Sequence, residues 1–271
     1  MSVSACLNCQ TALPPDARFC PTCGTSVLPS PPDIFAPPPT EDMEQELADC
    51  FMRELERAIL DQQDPRMVDQ YFQRFHESGF PTDLEHRLRQ LLEPLARAGI
   101  NTVTQEVLYE IYSLVDFFLI RFCSDLNQIY LPQAILKYHG IDGNQVDLYR
   151  MSMDFMAFDH EDVRIYTDFL SMPEKTLKKV SKSFLFADRT ERLWFICDQT
   201  LRGTGKAGFA MTNQSIYWKA PMQPAHVFRY GHPLTIQFES DWMTLNGAFF
   251  DAGKALNVRL SKLLQRLQMV F

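Results

Sequence analysis

The chain has 271 residues, 46% hydrophobic and 12% aromatic, with 26 Lys/Arg against 34 Asp/Glu for a net charge of −8. That length and apolar content predict a folded protein with two domains beyond a small N-terminal module, while the acidic balance argues against nucleic acid as a partner, because Lys and Arg contacts to phosphate dominate that affinity. The first residues carry neither a basic nor an apolar leader, and the longest apolar run, Leu114 to Phe122, is interrupted by Asp116 and Arg121; the expectation is a cytoplasmic protein with no transmembrane segment.

Residues 1–28 are built on Cys6-Leu-Asn-Cys9 and Cys20-Pro-Thr-Cys23-Gly24, two C-x-x-C pairs with ten residues between them. Each pair delivers two thiolates from one tight turn, and four thiolates at about 2.3 Å close a tetrahedral zinc shell. A shell filled by sulfur keeps no position for a reactive water. The one Zn²⁺ expected on Cys6, Cys9, Cys20 and Cys23 is therefore structural, folding a segment too small for its own core. Phe19 to Gly24, Phe-Cys-Pro-Thr-Cys-Gly, resembles the second knuckle of the short zinc-ribbon modules at the N-termini of many bacterial proteins. The resemblance covers about a tenth of the chain and implies zinc without implying a use for it. Cys50, Cys123 and Cys197 sit in apolar stretches and are expected as buried free thiols.

Residues 25–40 hold six prolines and no apolar period, which predicts an extended spacer, with the linker proper at 29–40. From Glu41 the period turns helical, and residues 41–183 are expected to form an α-helical domain. Leu47, Phe51, Leu55 and Ile59 recur every four residues; Thr82 with Glu85, Thr102 with Gln105 and Ser171 with Glu174 fit the S/T-x-x-E/Q cap; Gly79, Gly99 and Gly140 stand where helices should end. Helices are predicted near 41–63, 65–78, 82–98, 102–128, 132–139, 144–156, 160–170 and 172–184. The 102–128 helix has the broadest apolar face and is expected at the centre of the core.

Past residue 184 the period becomes two. Strands are predicted at Leu193–Ile196, Gly208–Thr212, Ser215–Lys219, Val227–Tyr230, Leu234–Phe238 and Trp242–Phe250, with tight turns at Asn213-Gln214 and Asn246-Gly247. A helix over Ala252–Gln268 carries Leu256, Leu260, Leu263, Leu264 and Leu267 on one face, as a helix capping one open side of a curled sheet would. The run from Gly208 to Lys219, with Thr212, Ile216 and Tyr217 at fixed offsets, resembles the G-x-x-x-T-x-x-x-I-Y-x-K hairpin of bacterial pleckstrin-homology-like (PH-like) and GRAM-like domains. That resemblance covers roughly residues 173–271, with the domain itself placed at 184–271. It implies an antiparallel sheet or partly open barrel with a capping C-terminal helix, and an interaction module without catalytic residues. The whole is then a multidomain α+β protein: ribbon, helical middle and PH-like domain.

Gly203-Thr-Gly-Lys-Ala-Gly208 matches G-x-G-x-x-G, but a strand rather than a helix should follow it, Thr200 and Ala207 break the Walker pattern, and no kinase motif follows. A glycine-rich turn is the expectation. Arg202, Lys206, Lys219 and Arg229 lie on or beside the hairpins and are the candidate ligand- or partner-binding residues, able to ring an acidic peptide or an anionic headgroup, or to form an ordinary solvated face. Asp159-His160-Glu161-Asp162 is the densest polar cluster; a helix N-terminus favouring acidic residues explains it most simply, and a carboxylate/His site explains it otherwise. The residues of residues 184–271 include ten Lys/Arg and six Asp/Glu, net +4, leaving −12 for the first 183. The expected function is a non-enzymatic cytoplasmic adaptor binding protein partners through the ribbon and the PH-like domain. The alternatives are peripheral membrane binding through the basic domain and, more weakly, an enzyme in the helical domain.

Overall fold

In the computed structural model, α1 (Glu41–Gln62) buries Leu47, Phe51, Leu55 and Ile59, the four positions that the helical period singles out. The described residues are 41–98, 104–139, 141, 143–168 and 172–271. The ribbon (1–28), the proline-rich linker (29–40), Gly99, Thr102, Gly140 and Ser171 lie outside them.

α2 (Val68–Glu77) follows a short 3-10 turn at Pro65–Met67, and α3 (Phe80–Arg97) starts two residues before Thr82. Thr82 is therefore inside the helix and not its cap: Gly79, at φ +75°, turns the chain, and a proline in the first turn starts the helix early. α4 (Gln105–Phe122) is capped by Thr104, whose hydroxyl accepts the Val107 N–H, and it ends six residues before the expected 128. The Asn127 amide donates to Leu119 O (2.8 Å) and Arg74 to Phe122 O (2.5 Å), so side chains take the carbonyls that further helix would have used.

The 132–139 segment is a 3-10 helix, Gln133–Tyr138, and the next helix, α5 (Leu148–Met156), begins only after Asp147, whose carboxylate accepts the Arg150 N–H. Among the described residues the helix expected at 160–170 is not formed. Residues Arg164–Tyr166 are instead β1, paired antiparallel with β2 (Leu193–Asp198) as Arg164↔Asp198, Ile165↔Cys197 and Tyr166↔Ile196. A ladder to a partner some thirty residues away overrides a weak local helical pattern. α6 (Glu174–Ser183) then leads into the sheets.

β3 (Gly208–Thr212), β4 (Ser215–Lys219) and β5 (His226–Arg229) extend the first sheet in the order β1-β2-β3-β4-β5. β6 (Ile236–Glu239), β7 (Trp242–Leu245) and β8 (Ala248–Phe250) form a second, three-stranded sheet. All pairs are antiparallel, and the described strands form no closed barrel. The expected run 242–250 is a hairpin because Asn246 (φ +50°) and Gly247 (φ +77°) make its tight turn.

The first sheet is covered on both faces. Val180 and Phe184 join Ile196, Ala210 and Tyr217 in a small core on one side, while Phe195, Phe209, Met211 and Trp218 join the main core on the other. α7 (Lys254–Gln268) is buried on more than the one face expected of a capping helix. Its five leucines are buried as expected, but so are Asn257, Arg259, Ser261, Lys262 and Arg266 from its polar side. The helical half of the chain packs against that side, and one main core runs from Leu47 to Leu267.

Candidate functional site

Three of the four cations singled out in the sequence gather at one end of the first sheet. Arg202 and Lys206 are exposed on the β2–β3 connection, and Lys219 pairs with Gly208 at the neighbouring end of β4. Arg229 pairs with Ser215 at the far end of β4, four residues or about 13 Å along the strand. The four do not form one ring. Leu201, fully exposed, stands beside Arg202.

The glycine loop between β2 and β3 is tied down by a protein carboxylate. Asp198, 3% exposed, accepts the Thr200 N–H (2.9 Å) and hydroxyl (2.6 Å) with one oxygen and the Gly205 N–H (2.9 Å) with the other. The Gly205 amide of the motif is thereby already satisfied within the protein. Gly205, at φ +65°, lies so close to α6 that a Cβ would sit 2.6 Å from a Val180 methyl. Gly205 thus serves packing against α6, while a Cβ at Gly203 would strike Arg164 and one at Gly208 the Cys197 carbonyl.

The Asp159–Asp162 cluster is dispersed among separate tasks. Glu161 pairs with the buried Arg259 of α7, whose guanidinium also donates to Ala157 O (3.2 Å); the His160 ring lies on Tyr130 with centroids 4.1 Å apart. Because β1 replaces the expected helix, no helix dipole accounts for these acids either. Asp162 opens onto a broad cleft of about 820 Å³ with Asp198 and Asp251, but Asp198 is held as above and Asp251 accepts the Gly253 N–H. Among the described residues no group of His, Cys, Asp and Glu is arranged to hold a metal ion.

A groove that the sequence did not disclose runs between α1, α4, α7 and the segment from Tyr230 to Phe238. Its middle, about 200 Å³, lies among Arg57, Tyr109, Tyr112, Thr235 and Gln268. It opens toward Phe271 as a lobe of about 400 Å³ past Gln105, His232 and Leu234, and toward Phe238 as a lobe of about 280 Å³ past Asp61 and Gln62. Tyrosines and glutamines predominate among its polar walls. Such side chains donate and accept hydrogen bonds without charge, which suits a peptide backbone better than a proton-transfer step. Burial pushes the pKa of the Asp61 carboxyl above its usual range, with Arg57 opposing it in part.

Beneath this groove α4 and α7 are joined by buried charge. Lys262 pairs with Asp116, and Arg266 donates to Ile141 O (2.7 Å) while its buried Nε has no partner among the described residues. Burial raises the Glu110 carboxyl and lowers His139, the latter against the pull of Asp116 and with help from Arg266 and Lys262. The cavity there, about 20 Å³, is the size of a single water molecule and takes no substrate. The sequence signal for this cluster was present in the cations on the polar side of α7, but nothing in the 3.6 period marks that side as buried.

Residues 6–27 match the zinc-ribbon domain family. The match begins on Cys6 and spans all four cysteines, so an N-terminal zinc ribbon stands on more than spacing. No curated protein and no solved structure matches the chain. Among the described residues no helix is long and apolar enough to cross a membrane.

Proposed function

We propose that the chain is a non-enzymatic, cytoplasmic adaptor that carries a zinc ribbon on a proline-rich tether and binds a protein partner in the groove between α1, α4 and β6. The observation that carries this reading is the groove itself: it is a polar, aromatic cleft in which side chains of both halves converge, and amides and phenols predominate among its polar walls. The order of the C-terminal half, four strands β2–β5, then three strands β6–β8, then α7, supports the PH-like reading and with it an interaction role. Cys6, Cys9, Cys20 and Cys23 would hold one Zn²⁺. Four thiolates leave the metal no open position, so the ion would supply folding of the ribbon and no chemistry.

The test uses the full chain in its native cell with a photo-crosslinking residue at Tyr109. Capture of a defined protein partner is expected, and Cys20→Ser should lower both that capture and the bound zinc while the melting of the body stays unchanged. Absence of any captured protein at native expression would overturn the reading of the groove.

A further inference from the structure

The edge of β6 carries the argument further, resting on the reading of the groove as a partner site. Among the described residues β6 is an outer strand of its sheet and pairs with β7 alone. The Asn246 N–H donates to Thr235 O (2.9 Å), which fixes the phase of this ladder. In antiparallel pairing alternate residues turn both N–H and C=O to the partner strand. Gln237 and Glu239 therefore face β7, while Ile236 and Phe238 turn N–H and C=O outward. The two-residue turn at Ser240-Asp241, closing Glu239↔Trp242, keeps the same phase.

Outward is the groove. The lobe of about 280 Å³ is bounded by Ile236, Gln237 and Phe238 on one side and by α1 on the other, with no residue of β7 on its walls. Side chains alternate along a strand, so three consecutive residues on one cavity mean that it meets the backbone edge. Across from that edge, Asp61 is half-buried and has no hydrogen bond or ion pair among the described residues, and Gln62 Oε1 is buried without a donor. Arg57, the neighbouring cation, is engaged with Glu54 (2.8 Å) and lies over the Tyr112 ring. Two acceptors, one of them anionic, thus face an unpaired strand edge.

We infer that the groove takes an extended segment of a partner protein, which pairs with Ile236 and Phe238 as a fourth strand and places a Lys or Arg side chain between Asp61 and Gln62. Strand pairing satisfies the backbone edge, and a cationic donor satisfies both acceptors. The chain's own tether is not this segment. Residues 25–40 contain six prolines, which lack the N–H that pairing needs, and no Lys or Arg.

The experiment presents the full zinc-loaded chain with acetylated, amidated hexapeptides of Thr and Val that carry a single Lys, Arg, Gln, Glu or Pro scanned through each position. Affinity is read by fluorescence, and amide exchange is read at Ile236 and Phe238. The Lys or Arg peptides should bind about ten-fold tighter than their Gln and Glu counterparts, equivalent to about 1.4 kcal/mol, and should protect both amides. Asp61→Asn should remove that preference without lowering the melting temperature, and Asp61→Glu should keep it. Failure of every peptide to protect the two amides, or a cation preference that survives Asp61→Asn, overturns the proposal. Peptide failure alongside persistent capture at Tyr109 would sink this inference and leave the adaptor reading standing.

Discussion

His139 ends the 3-10 segment against α7, where Asp116, Lys262, Arg266 and Arg87 act on it. Burial first, then the cations, hold its pKa below the ordinary 6.5, so the folded state binds its proton less readily than the unfolded chain. Its contribution to stability is complete above pH 6.5 and declines as pH falls from there toward the folded value, at about 1.4 kcal/mol per unit of depression. Urea unfolding midpoints at pH 7.5 and 5.0 should therefore converge in His139→Gln relative to the parent chain. Glu110 slopes the other way: its raised pKa favours the folded state below its ordinary 4.5 and loses that advantage as pH rises. At this scale the sequence was partly readable. Cys50, Cys123 and Cys197 are buried free thiols as apolar neighbours imply, whereas the tasks of Asp198 and Glu161 depend on Gly205 and Arg259, which no local pattern joins to them.

α7 shows what an element's own period can and cannot say. Its leucine stripe was visible in the spacing, and all five leucines are buried. That stripe says nothing of its cations, and the Lys262 and Asp116 side chains are 4% and 10% exposed and pair with each other. Removing one member of such a pair strands the other charge in the core. Lys262→Met should therefore lower the unfolding free energy by about 3–5 kcal/mol, and Lys262→Met combined with Asp116→Leu should recover most of that loss; equilibrium urea denaturation of the two variants decides it. β1 is the converse case. Three residues with a weak helical pattern become a strand because β2 offers them a hydrogen-bonding edge.

For the whole molecule, the contrast between −12 in the first 183 residues and +4 in the remainder looked like two separate bodies. Part of that contrast is contact chemistry. Asp116 and Glu161 from the acidic stretch pair with Lys262 and Arg259 from the basic one, and β1 from the first stretch edges the sheet of the second. A fragment of residues 184–271 would carry Arg259 and Lys262 on α7 with neither carboxylate to meet them. That fragment is expected to lack a cooperative thermal transition, while residues 41–271 melt as one unit in calorimetry; a cooperative melt of the fragment would refute this.

Chemistry local to the chain settled the cysteine spacing that matches a zinc ribbon, the strands and turns of the C-terminal half, and the apolar stripes of the long helices. Each of these rests on neighbours a few residues away: a C-x-x-C turn, an Asn-Gly pair, an i to i+4 repeat. The groove along β6, the burial of the polar side of α7 and the strand at 164–166 were decided by packing between residues far apart in sequence. An unpaired strand edge or a buried lysine is defined by what lies across from it, and spacing along one segment carries no record of that neighbour.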